Sequence, residues 1–516
     1  MMDGERVNEA IPSSGGIAAE PVLSRSVGER GLPEIPPSGG EGRSAGLRWG
    51  MLAVLLTGQF MALLDNTITN VALPAIGRSL HASGAELQLV VAGYIVSYAT
   101  LLMTGARLGA LVGRRRMFMA GVVLFTISSL ACGLAPGIGA LIAARFVQGA
   151  GAAAMVPQVL SVIQLRFSGA ARTTALGSYA AVISSGFAAG QAIGGILVTA
   201  NLFGSVWRPV FLVNVPIGLA VLALAPKAVP RDERQGAARR LDLPGLVVLA
   251  AAVCLIVLPL LLGHQENWPG WLLACIGVGC ALAVLFVFIE RAVAARGGDP
   301  LLTLSVFRSP GLPSGLVSLS LIVAGYGGFL FIFAIHLQTG LGYSALRAGL
   351  TFVPFAAAFG VCSFFWRGLP ARWHYLLPPA GCLLAAAAYA VLALEARGGA
   401  TIGLAPQAFL VVTGAALALA FSPLLTLALV RVPRDLAADA SGLLTSAFQL
   451  SQAVGVAVFG SVFLTLGSRV TPHEPTAEIS GHALEITMLW IALTTATGVL
   501  ASLPLARTVR SARQSS

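Results

Sequence analysis

Two charged residues sit where an apolar sequence tolerates charge only for a reason. Asp65 lies well inside the first long apolar run, in the stretch MALLDNTITN that begins at Met61, and Arg145 stands inside the fourth, before Gln148, Gly149 and Gly151. An ionised carboxylate at the centre of a bilayer-length helix costs about 2.5–3.5 kcal/mol on insertion scales, so it needs a wet cavity, a partner or a proton. Burial favours the protonated form and a nearby cation the ionised one, so a carboxyl that alternates between two exposures can load and release a proton. A guanidinium cannot shed its charge, so Arg145 needs a counter-charge, and Asp65 is the best available. The two are expected to couple, directly or through one intermediary, with Asp65 carrying the proton and Arg145 modulating it. A hydrogen-bonded structural Asp, and a purely structural tie between runs one and four, are the plainer alternatives.

Other polar groups surround this pair. Thr69 follows Asp65 at i+4, Gln59, Asn66 and Asn70 form an adjacent stripe, and Gln148 shares the Arg145 face. Gln191, His336, Gln338, Gln449 and Gln452 are further polar groups within apolar runs. All are candidates to line a substrate cavity, although each could equally satisfy a backbone carbonyl. Tyr94, Tyr98 and Phe448 could stack on a planar ligand, although core packing or a lipid-facing position is the plainer reading of any one of them. Gly186, Gly190 and Gly194 recur at every fourth position and form a smooth seam, readable as simple packing or as a pivot between two halves.

Only apolar helices of about 20 residues, long enough for a hydrocarbon core of about 30 Å, can hold these groups in place. The sequence has fourteen such runs, near 50–73, 85–106, 116–134, 137–162, 173–199, 208–226, 243–263, 270–292, 313–337, 345–366, 375–396, 403–430, 442–466 and 485–506. Basic residues gather in the N-terminal tail, in alternate loops and at the C-terminus. They include Arg114, Arg115 and Arg116 after the second run, and Lys227, Arg231, Arg234, Arg239 and Arg240 after the sixth. Only Arg78, Arg208, Arg347, Arg397 and Arg469 fall on the other face. Basic loops stay cytoplasmic, so the pattern predicts an all-α, multi-pass protein of the plasma membrane with both termini in the cytoplasm.

Composition narrows the function. With 56% hydrophobic and 10% charged residues and a mean hydropathy of +0.85, the chain lies outside the range of soluble globular proteins. The net charge of +11 marks the leaflet facing anionic lipid rather than a nucleic-acid partner. Cys132, Cys254, Cys275, Cys280, Cys362 and Cys382 fall within or beside apolar runs, with no metal spacing. A phosphate-cradling loop needs Gly-Lys-Ser/Thr, and the only lysine, Lys227, precedes Ala228. No loop is long enough for a soluble catalytic domain. The reading is a transporter, not an enzyme, with no cofactor and no metal, drawing for any uphill movement on an ion gradient or on a separate subunit.

The expected organisation is a disordered cytoplasmic tail (1–48), a first six-helix bundle (49–227), a linker with two additional lipid-facing helices (228–300), a second six-helix bundle (301–507) and a short tail (508–516). Gly190-Gln191-Ala192-Ile193-Gly194-Gly195 and Ser451-Gln452-Ala453-Val454-Gly455-Val456 hint at a six-plus-six repeat, an arrangement that places the substrate between the halves.

These residues resemble the major facilitator superfamily, and within it the fourteen-helix drug:proton antiporter branch, over nearly everything from 50 to 506. Leu64-Asp65-Asn66-Thr67 with Asn70-Val71-Ala72-Leu73-Pro74 is similar to the branch's first-helix signature. Arg145, Gln148, Gly149 and Gly151 fit the R-x-x-Q-G-x-G motif, whose arginine the resemblance implies assists proton transfer. Trp207 to Pro216, Gln338 to Gly349 with Pro354, and Ser441-Gly442-Leu443-Leu444 also match. Gly109, Gly113, Arg114 and Arg115 fit the gating motif after helix 2, but the acid usual there is Ala110, and Gln191 stands where helix 5 usually has Pro. The resemblance implies a monomeric exporter of amphipathic, mostly apolar drugs or a secondary metabolite, exchanged for protons across the lipid bilayer. A proton-coupled importer of a small nutrient and a non-transporting membrane sensor are the alternatives.

Overall fold

The computed structural model describes residues 40–201, 204–230, 242–263, 269–298, 300–399, 401–429, 432–433, 436–467 and 476–514. The expected tail before residue 40 and the polar linker at 231–241 lie outside the described residues. No strand occurs among the described residues. The helices are α1 (Gly40–Leu80), α2 (Gly84–Val112), α3 (Arg114–Gly133), α4 (Ile138–Arg166), α5 (Gly169–Ala200), α6 (Pro209–Ala228) and α7 (Leu243–Leu262). There follow α8 (Gly270–Ala295), α9 (Leu312–Gly340), α10 (Ala345–Phe365), α11 (Leu377–Glu395), α12 (Leu404–Leu429), α13 (Ala437–Gly467) and α14 (Thr476–Gln514). Twelve helices among the described residues are long and apolar enough to cross a membrane, and two apolar stretches, Ala189–Ala200 and Pro244–Leu260, are shorter. Those two fall on the fifth and seventh of the expected spans.

Helix runs into both segments expected as tails. Residues 40–48 already belong to α1, and α14 continues to Gln514. Extending a helix that the apolar run has nucleated needs no new nucleus, and neither extension contains a proline to stop it.

Local chemistry sets the other boundaries. Ser83 and Glu86 form a reciprocal capping box that starts α2, with Glu86 Oε2 2.7 Å from the Ser83 amide. Gly113 separates α2 from α3 at φ 104°, a conformation open mainly to glycine. Within the helices, hydroxyls such as Thr100, Thr126, Thr413, Thr487 and Thr495 donate to the carbonyl four residues back, so these groups are not left bare in an apolar bundle. Large apolar side chains face outward instead, Val247 at 64% and Phe365 at 65% exposed, as lipid requires.

Helix packing in the compact unit Leu47–Ser516 follows a reciprocal pattern. α4 packs on α2 and α3, and α3 on α6; later, α9 packs on α13 and α14, and α11 on α12 and α14. Across these groups, α2 meets α13 and α5 meets α10. The second helix of the first six thus meets the fifth of the last six, and the fifth meets the second. α7 pairs with α8 and leans on both α2 and α13.

Candidate functional site

Glycines let the helices approach closely enough to bury a charge. A Cβ on Gly149 would come within 3.0 Å of Ser97 Cβ and the Tyr98 amide, so α4 lies directly on the α2 backbone. Two residues on, a Cβ on Gly151 would meet the Phe125 amide nitrogen at 2.7 Å, which seats α4 equally tightly on α3. The G-x-G spacing thus turns one face of α4 to each neighbour, and Arg145 projects into the space between them.

There Arg145 Nη1 pairs directly with Asp65 Oδ2, and both side chains are fully buried. Asp65 Oδ1 accepts from Gln148 Nε2 at 2.8 Å and from Asn214 Nδ2 at 2.9 Å. Ser129 Oγ lies 2.6 Å from Gln148 Nε2 and 3.2 Å from Asn214 Nδ2, tying the two amides together. Arg145 Nε donates to the Val90 carbonyl at 2.9 Å, and its guanidinium lies over the Tyr94 ring at 4.4 Å and the Phe211 ring at 5.7 Å. Donors from α4 and α6 therefore converge on the α1 carboxylate, while groups of α2 and α3 hold those donors in place. Each carboxyl oxygen faces donors, the arrangement an acceptor-only carboxylate requires.

Beside this network is a cavity of about 330 Å³. Gln59, Asn66, Tyr94, Tyr98 and Gln449 line it, together with Tyr179, Tyr326, Phe359, Phe421 and Phe448. No Asp, Glu, Lys or Arg is among the described lining residues. Asn66 Nδ2 reaches Gln452 Oε1 at 3.4 Å, linking α1 to α13, although Gln452 itself is not among the lining residues. The lining extends to Leu429 and Ser441, at the helix ends that flank Arg431 and Arg434. At the opposite end the two helix groups touch. Gln88 donates to the Val456 carbonyl at 3.3 Å, Gln338 to the Val71 carbonyl at 2.9 Å, and the Leu346 amide to Thr199 Oγ1 at 3.0 Å.

Several expected cavity residues lie elsewhere. Thr69 and Asn70 turn back on their own helix, to the carbonyls of Asp65 and Asn66, because a buried helical hydroxyl or amide finds its nearest acceptor one turn away. Gln148 is consumed by Asp65. Gln338 is taken by the Val71 carbonyl, and His336 Nδ1 faces Ser480 Oγ at 2.9 Å. Gln191 is buried with neither amide atom hydrogen-bonded. The glycine seam differs too: a Cβ at Gly186 or Gly194 would meet α1, at Leu63 Cβ and Ile68 Cγ1, each 2.9 Å away, and Gly190 faces Thr67 of the same helix. The seam therefore seats the Asp65 helix, while Gly195, 2.9 Å from Leu346 Cα by the same measure, carries the contact with α10. Gly109 lies against the Gln158 amide of α4, and Arg114 and Arg115 are half-buried at the start of α3.

Sequence reasoning missed Asn214 and Ser129 as site residues. Asn214 stands two residues before Pro216, where it reads as a helix-start residue, and Ser129 reads as one more small packing residue. A polar side chain on each helix flanking the expected ion pair was the available signal. Tyr179 and Tyr326, single tyrosines in glycine- and alanine-rich runs, were also missed.

A family model described as Major Facilitator Superfamily matches residues 55–456. The chain is 36% identical to a probable actinorhodin transporter of Streptomyces coelicolor, over 85% of this chain and 77% of that protein. It is 35% identical to the multidrug resistance protein Stp of Mycobacterium tuberculosis, over 82% and 78% respectively. Among solved structures, a bacterial homologue of the human lysosomal transporter Spinster shares the fold, with a TM-score of 0.63 and 18% identity over 90% of this chain and 97% of that one.

Proposed function

This chain belongs to the major facilitator superfamily as a multi-pass membrane transporter, and we propose that it exports planar, mostly apolar drugs or metabolites in exchange for protons. The relatives named for actinorhodin transport and multidrug resistance support the export direction. The cavity supports the substrate class: tyrosine and phenylalanine rings offer stacking surface, the amides of Gln59, Asn66 and Gln449 orient a polar edge, and no charge selects an ion.

One observation carries the coupling. Tyr94 forms part of the cavity wall and also lies under the Arg145 guanidinium that neutralises Asp65. A ligand pressing on that ring and a proton loading Asp65 both act on the same cation. In the proposed cycle Asp65 takes a proton from outside, Arg145 swings away from it, and closure to the outward side follows. Substrate entering from the cytoplasm then accompanies proton release and re-formation of the ion pair. In this proposal the arrangement is the cytoplasm-facing state with the ion pair closed, a reading supported by the cavity lining that runs to Leu429 and Ser441 and by the hydrogen bonds that join the two helix groups at the other end.

In this proposal α5 and α7 also cross the bilayer, giving fourteen spans and placing both termini in the cytoplasm. The reciprocal contacts of α2 with α13 and α5 with α10 support two six-helix bundles with α7 and α8 as additions, and the monomer is proposed as the working unit. The test is Asp65→Asn in proteoliposomes with an imposed pH gradient and a planar aromatic dye. Loss of uphill dye movement with downhill exchange retained is expected. Unchanged uphill movement would overturn the mechanism.

A further inference from the structure

Away from the cavity, α7 and α8 hold two acidic side chains that export does not use. Asp242 caps the start of α7, its Oδ1 accepting the Gly245 amide at 3.0 Å. Glu290, near the end of α8, accepts the Leu302 amide at 2.8 Å through Oε2. Each carboxyl therefore spends one oxygen on the backbone. The second oxygens, Asp242 Oδ2 and Glu290 Oε1, are buried with no donor directed at them. Glu290 is 0% and Asp242 7% exposed.

These spare oxygens converge on one point. A Cβ on Gly245 would lie 2.8 Å from Glu290 Oε1 and closer still to Asp242 Oδ2. The two carboxyls thus face one another across Gly245, and Arg107 of α2 is the cation that acts on Glu290. Two ionised carboxylates facing each other in a low-dielectric setting repel, and neither can donate. One proton removes both difficulties: it makes one group a donor to the other and leaves a single negative charge opposite Arg107. Such a pair titrates as a unit rather than as two separate residues.

We infer that Asp242 and Glu290 share one proton and form a second proton-binding site, outside the two six-helix groups. Gly245 is the residue that makes room for it, since any side chain there would force the carboxyls apart. The shared proton joins the first turn of α7 to the last turns of α8 and, through Leu302, to the segment entering α9. Because α7 leans on α2 and α13, loss of that proton places a second negative charge at a contact holding α7 against two helices that contribute to the cavity walls.

The test is infrared difference spectroscopy of the full chain in lipid nanodiscs, carried out in the Asp65→Asn background so that this carboxyl contributes nothing. The expected result is the carbonyl stretch of a protonated carboxyl at neutral pH that disappears as pH rises. The band should be lost when either Glu290→Gln or Asp242→Asn is added, so that one folded double variant suffices. A band unchanged by both additions overturns the site. So does an Asp65→Asn background that shows no band at all, whatever the added variants do. Transport plays no part in this readout, so its failure and the failure of the export mechanism are separate results.

Discussion

The α1–α6 core is built around Asp65, whose oxygens take directional hydrogen bonds from α4 and α6 while Arg145 also reaches an α2 carbonyl. The α9–α11 core has rings instead: Phe329 lies 5.2 Å from Phe333, 6.0 Å from Phe352, 5.5 Å from Phe355 and 5.4 Å from Tyr389. A buried charge tolerates few geometries, because each misplaced donor leaves an uncompensated group in a low dielectric. Ring contacts vary gently with angle and offset, so helices packed through them can shift at small cost. In the proposed cycle the charged core would register a proton as a discrete rearrangement, whereas the ring-packed core would give way more gradually.

Variants that remove one partner from each side sharpen this contrast. The largest effect belongs to Arg145→Met, which strands Asp65 without its cation and should lower stability by about 3–5 kcal/mol. Thermal denaturation in detergent reads this loss, and adding Asp65→Asn should restore much of it. Asn214→Leu removes one donor to Asp65 and should cost about 1–3 kcal/mol. On the aromatic side, Phe329→Leu keeps an apolar side chain and should cost less than about 1.5 kcal/mol; equal losses at both positions would erase the distinction. Tyr94→Phe keeps the ring over Arg145 and deletes only the hydroxyl bond to the Ala62 carbonyl, 3.2 Å long. It should cost about 0.5–1.5 kcal/mol and leave proton-coupled dye transport intact. The smallest change is expected from Phe421→Leu: stability close to wild type and a half-saturation concentration for a planar dye raised a few-fold, as loss of about 0.5–1 kcal/mol of stacking predicts.

The pairing of Asp65 with Arg145 was readable because an apolar run gives a charge very few acceptable environments. The individual roles of the glutamines and asparagines were not readable. An amide in a helix meets its needs equally well from a carbonyl one turn away, from a neighbouring helix or from a ligand, and local sequence does not rank these. Thr69, Asn70, Gln338 and Gln148 went to protein partners, whereas Gln59, Asn66 and Gln449 reached the cavity. The glycine seam of α5 was visible as a seam, but not that its partner would be α1.

Residue order alone thus determined the helical, membrane-spanning class, the basic side of the protein and the two charges that must meet. Each follows from the cost of placing a polar group in hydrocarbon, which depends on residue type and run length. Tertiary structure alone decided that Asn214 and Ser129 would complete the carboxylate's surroundings, that Tyr94 would serve both cavity and ion pair, and that Asp242 would meet Glu290 beside Gly245. Those outcomes depend on which helix faces lie within about 3 Å of one another. Distant segments set that proximity by packing together, and no single segment encodes it.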